Sequence, residues 1–425
     1  MRTFIIGAGA SKAYSESPTN CRMPIANDFF QTFNKLNISN DLRVHVGDII
    51  NICKEDFKID VMDFYNLSFN IEEFHSYIEQ KLIIQMQEGN IFNNIYYYKA
   101  YKQLIFLFTS VINEIQNGPI SEVHKNLIFS LNEDDSIITF NWDTLIDRAL
   151  NEYTDWKTDF GYCIKPEKIY KNKWIKPDVE NIKFNKLIKL HGSTNWITTY
   201  PIPDKNQIFK LNQTIDKSAF YVYENTKEPY SCYDGRYEGP YEAFSYFYYP
   251  PNILDDIGLD ELKDKVWIKP GVLGSKETKQ MYEKMFNCKI NIPEKKAKDD
   301  GIVTMPLIIP PVKDKKYSLF GSLFNELWEI AKQEIVKSNE IIIIGYSFPI
   351  TDVRTIKLFK EAFCKKQVLP RIIIVNPEPN DIVELFQMTF GVPIENITIY
   401  KEYFDKDFNF DKISNKIIKK LKRLI

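Results

Sequence analysis

The sequence predicts an α/β fold, in which a Rossmann-like open parallel sheet carries helices on both faces. Its apolar runs are short and continuous, as at Thr3–Ile6, Ile341–Ile344 and Ile372–Val375. Such runs are typical of strands that are covered on both faces. Segments with helical periodicity alternate with them, as the crossover connections of parallel strands require. The first run ends in a glycine turn, which often begins a ligand-binding strand–turn–helix unit.

Two insertions are predicted to interrupt this alternation. The first, at about 31–118, is helical, because apolar residues recur every three or four positions from Ile71 to Gln116. The second, at about 198–300, is irregular and rich in aromatic residues and prolines, and long segments of this kind are often functional. The tail at 405–425 is predicted to form a C-terminal basic amphipathic helix, which docks on the sheet or contacts a partner or nucleic acid.

The remaining elements complete the predicted sheet. A helix is predicted to start within Pro24–Phe30, and a strand that ends at Asn141 is predicted to run directly into a helix over 142–150. Further strands and helices are predicted at Leu187–His191, Pro306–Pro310, Leu319–Val336, Ile341–Ile344, Val353–Cys364, Ile372–Val375 and Ile382–Phe390.

Composition and charge indicate a folded protein and argue against a dedicated nucleic-acid-binding role, although they leave room for a local basic patch. Of the 425 residues, 44% are hydrophobic and 26% are charged, so the chain can bury a large core. The formal net charge is −2, whereas dedicated nucleic-acid-binding proteins are usually clearly basic. The charge balance therefore argues against that class of partner.

Cysteine spacing and hydropathy predict a cytoplasmic protein. The six cysteines include no Cys-x-x-Cys pair, so a zinc ribbon is not expected, and sparse thiols suit a reducing compartment. The apolar run at the amino terminus is too short for a signal peptide. No stretch reaches the roughly eighteen apolar residues of a membrane span, so no membrane contact is expected.

Glycine or polar residues follow four of the predicted strands where each strand ends. They are Gly7-Ala8-Gly9-Ala10-Ser11, Asn141, His191, and Gly345 with Ser347. Because ligands of an open parallel sheet bind at the carboxyl ends of its strands, we expect these residues to share one site. Lys12 stands where the full dinucleotide fingerprint has its third glycine, so a plain strand–helix turn remains an alternative.

The polar residues of this expected site have two interpretations each. His191 is a candidate general base, because imidazole titrates near neutral pH, or a structural histidine in a loop. Asn141 and Asp143 are candidate ligand contacts, or the N-cap and first turn of the predicted helix over 142–150. The residues alone leave both interpretations open.

Five short motifs occur here in the order that sirtuins show. They are Gly7-Ala8-Gly9-Ala10-Ser11, Thr139-Phe140-Asn141-Trp142-Asp143, His191-Gly192, Gly345-Tyr346-Ser347 and Asn376-Pro377-Glu378. The chain resembles the sirtuin-like (Sir2-like) NADase effectors of bacterial antiphage defence systems, from residue 4 to about 378 with the two insertions unmatched. The resemblance implies a sirtuin-like NAD-binding catalytic domain at 1–404, which cleaves NAD to nicotinamide and ADP-ribose.

The resemblance also implies a role for each matching residue. His191 would be the catalytic base, and Asn141 would hold the nicotinamide ribose and the attacking water. The other implied NAD contacts are Gly7, Ala8, Gly9 and Ser11 at the phosphates, Asp28 after the cofactor loop, Asp143 near the nicotinamide, Gly345 and Ser347 at the far phosphate and ribose, and Asn376 and Glu378 at the adenosine ribose. Such hydrolysis needs a held ribose and one positioned nucleophile, and it requires no metal.

The resemblance also implies partners for the protein, and it leaves two alternative functions open. Deacylating sirtuins carry a zinc module with paired Cys-x-x-Cys motifs, which this sequence lacks, so NAD cleavage by water is favoured over protein deacylation. A toxic NADase must stay silent until triggered, which implies a homo-oligomer or a partner such as a HerA-like ATPase or a short Argonaute. The alternatives are an NAD-dependent protein deacylase, and a regulatory module that binds NAD or ADP-ribose without catalysis.

Overall fold

The structure of the chain is a computed structural model. It describes residues 1–36, 47–60, 63, 69–87, 96–171, 174–178, 183–199, 220–224, 304–309, 322–349 and 352–414. Residues 415–425 of the predicted C-terminal helix lie outside the described residues, and so does most of the predicted irregular insertion at 198–300, of which only 198–199 and 220–224 are described. None of the described helices is long and apolar enough to cross a lipid bilayer.

A parallel sheet of six strands forms the centre of the described part of the chain, which confirms the predicted fold class. Every neighbouring pair in it is parallel. Its spatial order is β11 (Ile397–Tyr400), β10 (Arg371–Val375), β9 (Glu340–Ile344), β1 (Arg2–Ile6), β2 (Ser136–Thr139) and β5 (Lys186–Lys189). The carboxyl ends of β9, β1, β2 and β5 therefore lie side by side along one edge of the sheet.

The strands of this sheet follow from their residue types. Isoleucine and valine dominate β9 and β10, and all four isoleucines of β9 are fully buried. β-branched side chains pack well on a pleated surface that is covered on both faces. Strand β11 lies at one edge of the sheet, is only partly buried, and is missing from the sequence prediction.

Helices flank the sheet and connect its strands. They are α1 (Ala8–Ser11), α2 (Phe29–Lys35), α3 (Gly47–Phe57), α4 (Ile71–Gln87), α5 (Tyr96–Gln116), α6 (Glu122–Ser130), α7 (Leu145–Tyr153), α8 (Leu323–Lys337), α9 (Val353–Cys364) and α10 (Asn380–Glu384), the last continued by a π-turn at Leu385–Thr389. Helices α2 to α5, called the helical block below, fall in the predicted helical insertion, and α4 and α5 confirm its helical periodicity. The helix expected to start within Pro24–Phe30 begins at Phe29.

A second sheet was not predicted. Among the described residues it contains β4 (Trp174–Ile175), β3 (Lys168–Tyr170), β7 (Phe220–Tyr223), β6 (Gly192–Thr199) and β8 (Thr304–Ile308), in that spatial order. The strand expected at Pro306–Pro310 is β8, which pairs antiparallel with β6 outside the parallel sheet. Strand β7 lies inside the segment predicted to be irregular, so that prediction is wrong at 220–223.

Candidate active site

A cleft of about 480 Å³ lies at the carboxyl edge of the parallel sheet, under the helical block. Eight of the twelve predicted site residues line this cleft: Ala8, Gly9, Ser11, Asn141, Asp143, His191, Gly345 and Ser347. The facing wall includes Met23, Asn27, Phe29, Asn70, Ile71, Glu72, Phe108 and Ile112. The structure thus brings together four strand ends that are far apart in the sequence.

The glycine turn owes its residue types to close packing against the loop after β9. A Cβ atom on Gly7 would lie 2.5 Å from the Tyr346 Cα, and one on Gly9 would lie 2.9 Å from the Gly345 Cα. The N–H of Gly9 donates to the Gly345 carbonyl at 2.9 Å, and the N–H of Ala10 donates to the Gly7 carbonyl at 3.0 Å. These two amides are therefore bonded within the protein, and a phosphate contact by the turn stays a prediction.

Asn141 is tied to the glycine turn through its side-chain amide. Its Nδ2 donates to the Gly7 carbonyl at 2.8 Å and to the Ser11 Oγ at 2.6 Å. Ser11 Oγ in turn donates to the Asp143 Oδ2 at 2.5 Å. A carbonyl can only accept, so the nitrogen of the Asn141 amide must face Gly7. Both N–H groups of the Asn141 amide are therefore used in bonds to Gly7 and Ser11. Its Oδ1 is the atom with which Asn141 can accept a hydrogen bond from a ligand.

The segment after Asn141 is a loop and not the start of a helix. Helix α7 begins at Leu145 with Thr144 as its N-cap, so the predicted start at 142 is wrong and Asn141 is not the N-cap. The Trp142 carbonyl accepts from the Thr194 N–H, and the Thr144 N–H donates to the Gln116 Oε1, both at 2.8 Å. These long-range bonds hold the loop out of the helix, and Asn141 and Asp143 consequently face the cleft.

The helical block covers the cleft through helix α5. The ring of Phe108 stacks on Trp142 with a centroid distance of 5.7 Å and an interplanar angle of 22°. At the end of α5, Gln116 Nε2 also donates to the Thr194 Oγ1 at 3.1 Å. Because Gln116 bonds both to the loop after Asn141 and to β6, the cover is joined to the two segments that flank the cleft.

A buried ion pair supports the loop from below. Lys189 Nζ lies 3.0 Å from the Asp147 Oδ2, each side chain is 1% exposed, and Nζ also donates to the Asp143 carbonyl at 2.5 Å. Burial raises the pKa of Asp147, although the Lys189 ammonium opposes that shift. Tyr162 donates to the remaining oxygen of Asp147 at 2.6 Å. Lys189 thus fixes the position of Asp143 from the strand that leads to His191.

His191 lies at the corner between the two sheets, after β5 and directly before β6. Gly192 makes this corner with φ of +80°, in the left-handed region that favours glycine, and a Cβ there would lie 2.1 Å from the Leu307 carbonyl oxygen. The Ile309 N–H donates to the His191 carbonyl at 2.8 Å. The imidazole is nearly buried, with 7% of the side chain exposed, and lies edge-on to Phe140 at 5.2 Å.

Sequence reasoning missed Asp352, a carboxylate that faces His191. Its Oδ1 lies 3.9 Å from the His191 Nε2, and its Oδ2 accepts a hydrogen bond from the Tyr346 hydroxyl at 2.6 Å. Tyr346 itself stacks on Phe140 at 4.2 Å with an interplanar angle of 6°. An aspartate directly before a helix is usually interpreted as an N-cap, so the sequence alone does not mark Asp352 as a site residue. In the structure its side chain makes no capping hydrogen bond to α9 and lines the cleft instead.

The loop after β9 has an unusual backbone. Gly345 and Phe348 have φ of +61° and +52°, and a phenylalanine rarely adopts that conformation. The Phe348 side chain is buried against Phe359 and Phe386, which holds it there. Between these two residues Ser347 is exposed and lines the cleft.

Four predicted site residues do not line the cleft. Gly7 contributes only the carbonyl that anchors Asn141. Asp28 bonds to the Lys12 Nζ and to the Ile25 N–H, each at 2.7 Å, so it holds its own loop. Asn376 and Glu378 follow β10, where the Asn376 Oδ1 accepts from the Glu378 N–H at 2.9 Å. Their implied nucleotide contacts stay predictions.

Comparisons with known proteins add no family assignment. No protein-family model matches the chain, and no curated protein matches it. Within the described residues, no group of three or more histidine, cysteine or acidic side chains is arranged to hold a metal ion. What the cleft does is therefore inferred from its geometry and from the motifs that line it.

Proposed function

We propose that this chain is an NAD glycohydrolase that cleaves NAD to nicotinamide and ADP-ribose in the cleft. One observation carries the proposal: Asn141 and His191, which the resemblance names as the reacting pair, line one cleft beside the glycine turn. Neither the turn nor a strand end alone would indicate this chemistry. Their convergence supports it.

The size and lining of the cleft suit part of a dinucleotide. Its volume of about 480 Å³ falls within the range of roughly 300–1,000 Å³ that small-molecule sites occupy. Aromatic rings line much of it, including Phe108, Phe140, Trp142 and Tyr346. Such a lining would pack against a flat nicotinamide ring and exclude bulk water, which limits reaction to one positioned nucleophile.

The polar groups fit the proposed hydrolysis. Breaking the bond between nicotinamide and ribose leaves positive charge on the ribose, and a water must then attack the same carbon. Asn141 offers its Oδ1 to a ribose hydroxyl or to that water, and its amide is held by Gly7 and Ser11. His191 takes the proton of the water, because imidazole accepts a proton near neutral pH at modest cost.

The proposed biological role is a toxic effector that depletes NAD in antiphage defence. Uncontrolled hydrolysis of NAD would harm the cell that makes the enzyme, so activity must wait for a trigger. We propose that assembly into a homo-oligomer, or a partner such as a HerA-like ATPase or a short Argonaute, supplies it. This part of the proposal rests on the motif resemblance.

The test is direct measurement of nicotinamide release. Purified protein is incubated with NAD, alone and with the product of the neighbouring gene, and nicotinamide and ADP-ribose are followed by chromatography. We expect both products in equal amounts and without an acylated peptide. Release that requires an acyl-lysine peptide would identify a deacylase instead. Calorimetric binding of intact NAD without any product would identify a regulatory module.

A further inference from the structure

We propose that Asp352 is a second catalytic residue, which together with His191 holds the water that attacks the ribose. The inference rests on the proposed NAD hydrolysis and deepens it, because it assigns the nucleophile to a specific pair of atoms. None of the motifs that carry the resemblance contains Asp352. It is the geometry of the cleft that brings this residue to the site.

The distance between the two side chains fits one shared water. The Asp352 Oδ1 and the His191 Nε2 are 3.9 Å apart, which is beyond a direct hydrogen bond. A water oxygen about 2.8 Å from each atom fits that separation, and polar groups at such distances are commonly bridged in this way. Both residues line the cleft and are only 5% exposed, so a water held there would be shielded from bulk solvent.

Neighbouring groups hold both atoms in place. Tyr346 donates its hydroxyl hydrogen to the Asp352 Oδ2 at 2.6 Å, and the Asp352 Oδ1 faces His191. The Tyr346 ring stacks on Phe140, and Phe140 contacts the imidazole edge-on. A continuous chain of contacts thus runs from the Asp352 carboxylate through the rings of Tyr346 and Phe140 to the His191 imidazole. These contacts orient Asp352 and His191 before any ligand binds.

The reaction step balances with these two groups. The bond between the ribose C1′ and the pyridinium nitrogen breaks, and its electron pair goes to the nitrogen, so nicotinamide leaves neutral. A lone pair of the water oxygen forms the new bond to C1′. One water proton passes to His191, which later releases it to solvent, and the other is directed at Asp352 by a hydrogen bond. The carboxylate stays ionised, and the products are nicotinamide, ADP-ribose and one proton.

Asp352→Asn separates water activation from cleavage of the glycosidic bond. Two rates are measured under conditions in which the wild type turns over NAD: hydrolysis, and exchange of isotope-labelled nicotinamide into NAD. Exchange needs the bond to break and re-form but needs no water. We expect Asp352→Asn to slow hydrolysis by about a hundredfold or more, to keep exchange within about tenfold, and to leave the KM within about threefold.

Two further variants complete the design. Asp381→Asn makes the same change at an exposed site on α10, and we expect wild-type rates from it. Asn at 352 can still accept the Tyr346 hydrogen bond, so the variant is expected to fold, which a thermal melt checks. Should Asp352→Asn not fold, Tyr346→Phe serves instead, because it removes the hydrogen bond to the Asp352 carboxylate but keeps the carboxylate itself. The ratio of the hydrolysis rate to the exchange rate should then fall about tenfold.

The outcomes separate this inference from the proposed function. If the wild type neither releases nor exchanges nicotinamide, alone or with its partner, both the NAD hydrolysis and the role of Asp352 are refuted. If the wild type is active and Asp352→Asn hydrolyses NAD at its rate, or loses both rates equally, the hydrolase stands and the assignment of Asp352 fails. If Tyr346→Phe is used instead, an unchanged ratio of hydrolysis to exchange would likewise refute the role of Asp352 and leave the hydrolase standing.

Discussion

The carboxyl edge of the parallel sheet has two halves that differ in what covers them. The near half follows β9, β1, β2 and β5, and the helical block lies over it to form the cleft. The far half follows β10, where Asn376 is half-buried and Glu378 is exposed. Both halves present polar residues directly after a buried strand. In the near half these residues line the cleft, whereas Asn376 and Glu378 of the far half do not.

The reason lies in long-range bonds. In the near half, Asn141 bonds to Gly7 and Ser11, residues more than a hundred positions away. In the far half, the Asn376 side chain bonds within its own turn, to the Glu378 N–H. An asparagine after a strand can therefore close a turn or help to build a site. The packing above the edge of the sheet decides which of these two roles the asparagine takes.

The largest effect is expected from breaking the buried support of the near half. Lys189→Met leaves the Asp147 carboxylate buried without its ammonium partner, which typically costs about 3–5 kcal/mol. We expect that loss in the free energy of unfolding, measured with urea. Lys183→Met is the matched control, because Lys183 pairs with Asp134 on the surface, where solvent screens the pair, and it should leave the free energy of unfolding almost unchanged. Equal losses in both variants would show that the buried pair gives no special support.

The next effect concerns the reacting pair itself. His191→Ala and Asn141→Ala should each reduce nicotinamide release by about a hundredfold or more, because each removes a group that contacts the water or the ribose. Asn141→Ala also removes the bonds to Gly7 and Ser11, so its unfolding should be measured alongside. If both variants release nicotinamide at the wild-type rate, His191 and Asn141 do not take part in the reaction.

A smaller effect is expected from the core of the helical block. Burial lowers the pKa of His75 to about 3, against about 6.5 in an unfolded chain. Between these values the unfolded state binds more protons, so stability is complete above about pH 7 and falls as the pH drops through 6.5 toward 3. From pH 7.5 to 5.5 His75 should account for a loss of about 1 kcal/mol in unfolding free energy.

His75→Phe tests this linkage. The imidazole lies between the rings of Tyr101 and Phe108, a setting that suits a phenyl ring. We expect the variant to lose about 1 kcal/mol less than the wild type between pH 7.5 and pH 5.5 in urea unfolding. The buried His124, whose pKa is lowered to about 4, keeps part of the acid sensitivity in both proteins. An unchanged pH dependence would mean that His75 takes up protons in the native state.

The smallest effect is expected in the far half. Asn376→Ala removes a hydrogen bond within one turn, so the free energy of unfolding should fall by about 1 kcal/mol or less. The KM for NAD should change by less than about threefold, because Asn376 does not line the cleft. A rise of tenfold or more would instead support the adenosine contact that the resemblance implies, and the site would then extend along the whole edge.

Much of the fold could be predicted from local patterns. The buried strands β9 and β10 are runs of isoleucine and valine, and β1 is a short run that ends in Phe4, Ile5 and Ile6, so each of the three can be located within a few residues. The second sheet could not be predicted in this way, because strands such as β7 and β8 are short and pair with partners distant in sequence. The start of α7 at Leu145 was also hidden, since the bonds from Gln116 and Thr194 that delay it come from other elements.

The candidate site divides in the same way. Residue types and motif order placed Gly9, Ser11, Asn141 and His191 at strand ends, and the parallel sheet puts strand ends on one edge whatever the details of packing. The hydrogen bonds that orient Asn141, the cover of the cleft and the approach of Asp352 to His191 are decided only by the tertiary structure. The physical reason is the sequence distance over which each interaction acts. Strand propensity depends on residues that are neighbours in the chain. The Asp352 carboxylate is 161 positions from the His191 imidazole, so the two come together only after the sheet and its helices have packed.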